Sequence, residues 1–204
     1  MTRIKICGVT SADQAVACVE AGADAIGVNF VASSARRIDE DVARGIVRAV
    51  QAQALVVGVV ADRTVDAMRA LRERTGIGCL QLHGDEPSSD VIALLPHAYK
   101  AVRVAADEDV SLADATPGEY VMVDAKVSGA LGGTGRAFDW GLVVGLAKRR
   151  RLVLAGGLTP ENVATAIRQV RPWCVDVASG VETSPGTKDM ARVRAFVEAV
   201  HGAG

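Results

Sequence analysis

No excess of charge of either sign marks this sequence: 23 Lys and Arg face 24 Asp and Glu, for a formal net charge of -1. Nothing supplies the basic stripe that nucleic acid or an anionic membrane surface requires, so neither is expected as a partner. Long apolar runs are also missing. No stretch reaches the length of a membrane span, and Met1 to Val9 lacks the apolar core of a secretory signal, so the expected location is the cytoplasm. The four cysteines, Cys7, Cys18, Cys79 and Cys174, show no CxxC spacing, which argues against a zinc site or a disulfide framework and for four separate thiols. Linkers, low-complexity tracts, charge blocks and a half-to-half repeat are all wanting. With half of its residues apolar and 23% charged, the chain has the balance of a packed globular protein. Its length suits one core, and residues 1–204 are read as a single domain.

Short Val/Ile/Leu-rich runs alternate with longer amphipathic stretches, the pattern of β/α units whose strands are buried on both faces. The expected strands are Ile4 to Cys7, Ala25 to Phe30, Leu55 to Val60, Cys79 to Leu82, Tyr99 to Val104, Tyr120 to Asp124, Leu152 to Ala155 and Cys174 to Val177. Thr10 with Asp13 resembles a capping box for the first helix, which Gly22 closes. Pro160 after Thr159 suggests a first helical turn, and Met190, Val193, Val197 and Val200 share one stripe of a last helix. Asp107 to Ala115 reads as one short helix. An open doubly wound sheet would carry a GxGxxG turn after its first strand, whereas Cys7-Gly8-Val9-Thr10 stands there. The expected fold is therefore α/β, a (β/α)8 barrel with a closed eight-stranded parallel sheet.

In such barrels the chemistry lies at the carboxyl ends of the strands. Gly156-Gly157 after the seventh strand and Ser179-Gly180 after the eighth read as a phosphate cradle, in which glycines admit an anion close to backbone N–H groups. The alternative for Gly156 and Gly157 is a plain tight turn. Cys7 is the one thiol expected to face the chemistry. It serves as a base only if its pKa falls from about 8.5, an effect sought from Lys5 or Arg36. Asp124 ends the apolar run Tyr-Val-Met-Val-Asp, so its carboxyl is expected over the barrel mouth as an acid, with loop capping as the structural alternative. One acid and one base across a pocket make proton shuttling feasible. In the Ser33 to Arg37 loop, a guanidinium, Arg36 by preference over Arg37, suits a planar carboxylate. His83 touches substrate, positions the acid, or simply satisfies its own loops.

Five segments together resemble the phosphoribosylanthranilate isomerase family. They are Lys5-Ile6-Cys7-Gly8-Val9-Thr10, Gln81-Leu82-His83-Gly84-Asp85-Glu86, Gly132-Gly133-Thr134-Gly135 followed by Phe138-Asp139-Trp140, Ala155 to Val163, and Val175 to Glu182. The resemblance implies the Amadori rearrangement of tryptophan biosynthesis, with no metal and no organic cofactor. It implies Asp124 as acid and Cys7 as base, and Arg36 facing the anthranilate carboxylate. It also adds Asp176 to the substrate-binding residues His83, Gly156, Gly157, Ser179 and Gly180. The expected partner is a small phosphorylated substrate, and the expected state a monomer or homodimer. Two segments depart from the family pattern: Ala35-Arg36-Arg37 replaces Ser-Pro-Arg followed by an aromatic, and the second strand ends Gly-Val-Asn-Phe where Gly-Phe-x-Phe is commoner. A related sugar isomerase acting on a substrate with two phosphates would need a glycine-rich loop after the third strand and an aspartate near the end of the first. Here Val60-Ala61-Asp62-Arg63 and Cys7 occupy those places. A non-catalytic phosphate sensor on the same barrel is the reading from another class, since fold alone does not fix function. Retention of both Cys7 and Asp124 weighs against it.

Overall fold

The computed structural model describes residues 1–124 and 139–203. Eight parallel strands, β1 (Arg3–Cys7), β2 (Ala25–Asn29), β3 (Leu55–Val60), β4 (Cys79–Leu82), β5 (Ala98–Arg103), β6 (Tyr120–Asp124), β7 (Arg151–Ala155) and β8 (Cys174–Val177), follow one another around a closed barrel. The ring closes where β1 pairs with β8, with Lys5 opposite Asp176 in the register. Around it lie α1 (Ala12–Glu20), α2 (Glu40–Val50), α3 (Val65–Thr75), α4 (Ser88–Leu94), α5 (Asp107–Ala115), α6 (Val144–Arg149), α7 (Val163–Val170) and α8 (Met190–His201).

Side chains alternate along each strand, and the two parities go to two different cores. Ile4, Ile6, Ile26, Val28, Leu80, Leu82, Val121, Val123, Val175 and Val177 face the helices. Val57, Tyr99, Ala101, Met122, Val153, Ala155 and Cys174 fill the barrel itself. Because both faces are dry, the strands carry near-continuous apolar runs, which is why all eight were visible in the sequence.

Two helix starts differ from the sequence expectation. Ser11, not Thr10, caps α1, its hydroxyl accepting from Gln14 N at 3.3 Å, while Thr10 donates to Gly186 O at 2.7 Å. The seventh helix begins at Val163 rather than at Pro160, because Asn162 turns its side chain back on the preceding loop. The sequence reading also passed over an antiparallel hairpin after β8, formed by β9 (Glu182–Ser184) and β10 (Thr187–Lys188).

Candidate active site

Strand parity decides which side chains stand over the barrel axis. Cys7 shares the parity of the buried Lys5, and Asp124 that of Met122 in the barrel interior, so both point inward from the last residues of β1 and β6. Both remain partly accessible at the mouth. His83 follows β4 with the same inward parity as Gln81, and its Nε2 lies 3.5 Å from an Asp124 carboxylate oxygen.

Below the mouth runs a polar chain. Lys5 Nζ donates to Asp176 Oδ1 at 2.8 Å and to Gln81 Oε1 at 3.0 Å, and Tyr99 OH donates to the same Gln81 oxygen at 3.0 Å. An ammonium can only donate, so Oε1 is the Gln81 atom facing Lys5, and Nε2 must face His83. There it meets Nδ1 at 3.1 Å. Nδ1 therefore accepts, which leaves the neutral imidazole's proton on Nε2, the nitrogen directed at Asp124. The chain thus connects the floor beneath Cys7 to the carboxyl at the end of β6.

Lys5 also lies close to the thiol. A Cβ added to Gly27 would sit 2.7 Å from Cys7 Sγ and 2.9 Å from Lys5 Nζ, so the bare backbone of Gly27 is what lets the two gather. Burial nevertheless pushes the Cys7 thiol above its ordinary pKa; the pull of Lys5 in the other direction does not overcome it, and Asp176 adds to the rise. The fall that the sequence reading set as the condition for a Cys7 base is thus not found. Much of the ammonium's effect is spent on Asp176, and Arg36 is engaged by Glu182 through bonds of 2.5 to 3.1 Å. Lys5 itself loses by burial and gains more from Asp176 and Cys7, so its pKa stands well above the ordinary value.

Asp176 is placed here as the partner of Lys5. It lies level with Lys5, two residues below the Cys7 end of β1, and only 8% of it is exposed. An inward carboxylate at that depth is committed to neutralising the buried ammonium, a pairing that a charge so far from water demands.

The glycine loops meet at the mouth. Gly156 and Gly157 both adopt positive φ, 92° and 65°, turning the chain sharply after β7. Asn162 braces that turn, accepting from Thr159 N at 2.8 Å and donating to Gly157 O at 2.9 Å. Ser179 opens a short 3-10 turn after β8, where Gly180 packs so closely that a Cβ on it would lie 2.0 Å from Leu158 O. The loops after β7 and β8 are thus pressed together with exposed Gly157 and Ser179 at their rim. Beside His83, a cavity of about 670 Å³ opens toward Ser33, Asp62, Lys100 and Arg103. This is within the range of small-molecule sites. Glu86 shapes its wall by accepting from Asp62 N, Gly84 N and Lys100 Nζ. Gly132 to Gly135 and Phe138 lie outside the described residues.

Asn162, Gln81, Glu182 and Lys188 were not singled out as site residues from the sequence, and Lys5 only as a cation near Cys7. One signal was available for Lys5: in Arg-Ile-Lys-Ile-Cys the polar residues recur at period two inside an apolar strand, which places a charge on the barrel axis.

A family model described as N-(5'-phosphoribosyl)anthranilate (PRA) isomerase matches residues 4–199. A protein of that name from Pseudomonas aeruginosa is 47% identical over 201 residues, covering 97% of this chain and 94% of that one. The crystal structure of phosphoribosyl anthranilate isomerase from Thermotoga maritima superposes with a TM-score of 0.90 at 36% identity, covering 99% of this chain and 100% of the other. A further crystal structure, of the isomerase in complex with reduced 1-(o-carboxyphenylamino)-1-deoxyribulose 5-phosphate, reaches 0.89 at 35% identity with the same coverage. Among the described residues no helix is long and apolar enough to cross a membrane. The match of nearly the whole chain in sequence, together with the shared closed barrel, makes this chain a member of the phosphoribosylanthranilate isomerase family.

Proposed function

We propose that the chain catalyses the Amadori rearrangement of N-(5-phosphoribosyl)anthranilate to 1-(2-carboxyphenylamino)-1-deoxyribulose 5-phosphate, a step of tryptophan biosynthesis, with Asp124 as acid and Cys7 as base. The observation that carries the reading is the inward parity of Cys7 and Asp124 at the carboxyl ends of two strands of one barrel. The Gly157 and Ser179 loops at the same end suit the phosphate, offering backbone N–H groups to an anion.

Asp124 delivers a proton to the furanose ring oxygen. The C1–O bond breaks toward that oxygen while the amine lone pair forms C1=N, giving an open-chain protonated imine. Its positive nitrogen acidifies the C2–H, and Cys7 as thiolate takes that proton. The C2–H electrons form the C1–C2 double bond, and the former imine electrons return to nitrogen. The resulting enolamine is protonated at C1 and releases its enol O–H proton, leaving the ketone at C2. A thiol whose pKa is raised forms less thiolate at neutral pH, but the thiolate it does form is the stronger base toward carbon. Lys5 supplies the positive charge beside it.

The direct test mixes the purified protein with freshly generated phosphoribosylanthranilate and follows conversion to the ribulose isomer above the uncatalysed background. Conversion is expected; none above background defeats the reading.

The thiol's environment gives a separate prediction. Alkylation of Cys7 by iodoacetamide, followed by peptide mass spectrometry, is expected to titrate with a midpoint above the ordinary thiol value of about 8.5, because burial disfavours the thiolate. Lys5→Met is expected to move that midpoint higher still, since it removes the one charge on β1 that favours the thiolate and leaves Asp176 opposing it. An unchanged or lower midpoint in the variant would remove Lys5 from this role.

A further inference from the structure

We propose that Glu182 is a positioning residue for substrate selection: it fixes the Arg36 guanidinium by one edge, so that the free end of the fork receives the carboxylate on the aromatic amine half of the substrate. This rests on the reading of the reaction given above and assigns to the hairpin after β8 a part in selecting the substrate.

The geometry is specific. Arg36 Nε donates to both Glu182 oxygens, at 2.9 and 3.1 Å, and Nη2 donates to Oε2 at 2.5 Å. One edge of the guanidinium is thereby consumed. Among the described residues no partner takes the N–H pair of Nη1 or the outer N–H of Nη2, and the end of the fork they form presents two parallel donors, the geometry that matches a carboxylate. Arg36 is 25% exposed and Glu182 only 3%, so the anchor of the ion pair is buried while the arginine stays partly accessible.

The stem of Arg36 fixes where that end lies. Its Cδ is 2.4 Å from the place a Gly8 Cβ would take, so the side chain crosses directly over the residue that follows Cys7. Arg37, by contrast, is exposed on the loop and bridges to Asn29 through the backbone. The guanidinium therefore stands beside the proposed base.

Glu182 does more than neutralise one cation. Lys188 Nζ donates to its Oε1 at 2.7 Å, to Cys7 O at 2.6 Å and to Ala178 O at 3.3 Å, and Gly186 N donates to Oε1 at 3.2 Å. Burial opposes ionisation of Glu182, but the hydrogen bonds from Arg36 and Lys188 outweigh it and hold the carboxyl below its usual range. Two cations, Arg36 and Lys188, thus share this one anion. A second carboxylate, arriving with the substrate, completes the balance.

The test compares two substrates, phosphoribosylanthranilate and phosphoribosylaniline, which differ only in the ring carboxylate. The readout is the ratio of their kcat/KM values. Glu182→Gln is expected to lower that ratio about tenfold, chiefly through KM for the carboxylated substrate. Thr183→Val, which removes the Thr183 Oγ1 to Thr187 O hydrogen bond of 3.4 Å across the same hairpin without touching Glu182 or Arg36, is expected to leave the ratio intact. Arg36→Ala should lower the ratio at least as far, and adding Glu182→Gln to it should lower it no further, the non-additivity expected of residues acting through one another. Where Glu182→Gln fails to fold, Glu182→Asp gives the same readout, because the shorter carboxylate releases the guanidinium edge. A ratio that stays at the wild-type value in the Glu182 variants while Arg36→Ala lowers it overturns the proposal and leaves Arg36 as the carboxylate ligand. A ratio that Arg36→Ala itself fails to move defeats the ligand assignment on which the proposal stands.

Discussion

Cys7→Ala and Asp124→Asn are each expected to lower kcat by about two to four orders of magnitude, the range over which a positioned acid or base contributes to proton transfer. Each substitution removes one proton-transfer group and little else. Asp124 is partly exposed, and the described residue nearest to its carboxyl in charge terms is His83 at 3.5 Å, which an asparagine oxygen can still face. Asparagine is nearly isosteric but has no acidic proton to give the ring oxygen. Cys7 is small and partly accessible, so alanine leaves only a minor void. Substrate binding should therefore survive. Its proposed anchors belong to other parts of the chain: the glycine loops after β7 and β8 for the phosphate and Arg36 for the carboxylate. Affinity for the reduced product analogue, measured by calorimetry, is expected to stay within about threefold of wild type in both variants, since an interaction made only in the transition state leaves ground-state binding alone. Removing both groups should cost less than the product of the two single losses. Near-normal turnover in either single variant strikes that residue from the mechanism.

What the sequence disclosed and what it concealed divide along one line, the distance over which a signal acts. The strands declared themselves locally, because Leu55 to Val60 or Tyr120 to Asp124 is buried on both faces and needs no partner to be recognised. Their ends shifted by a single residue at four strands: Arg3 and Arg151 join the starts of β1 and β7, Phe30 falls off the end of β2, and β5 runs Ala98–Arg103 where Tyr99 to Val104 was expected. The hairpin Glu182–Ser184 with Thr187–Lys188 stayed hidden, being too short and too polar for any period to show. The site followed the same rule. Cys7, Asp124 and His83 were legible from their positions at strand ends, which the barrel converts into a common face. Their supports were not. Lys5 meets Gln81 across 76 residues and Asp176 across 171, and Arg36 meets Glu182 across 146. No local pattern specifies such pairs; only closure of the ring between β8 and β1 brings them together. The same closure explains the one reversed electrostatic expectation. Reading Lys5 as a free cation beside Cys7 took account of the neighbour in sequence and missed the carboxylate that the last strand supplies.

Gly180→Ala is the substitution expected to do the most damage to binding without touching an ionisable group. The added Cβ would lie 2.0 Å from Leu158 O, 3.1 Å from its carbonyl carbon and 3.2 Å from Thr159 Cα. These are backbone atoms, so no side chain can swing aside; the loop after β7 must separate from the loop after β8 by on the order of 1 Å. Overpacking of this kind costs about 1–3 kcal/mol of stability, which a thermal melt will read. The larger consequence falls on the anion. A cradle of backbone N–H groups works because its donors converge on one point, and a 1 Å displacement spoils several hydrogen bonds at once. KM for phosphoribosylanthranilate is therefore expected to rise about tenfold to a hundredfold, with kcat reduced far less because Cys7 and Asp124 stand on other strands. Gly157→Ala provides the contrast. Among the described residues, its own chain neighbours aside, no atom lies within 4 Å of its would-be Cβ, and the positive φ of 65° opposes the change, a strain of about 1–2 kcal/mol. It should lower stability with a smaller rise in KM. If Gly180→Ala lowered the melting temperature while KM held its wild-type value, the meeting of these two loops would be a packing contact alone, and the phosphate would have to be held elsewhere at the barrel mouth.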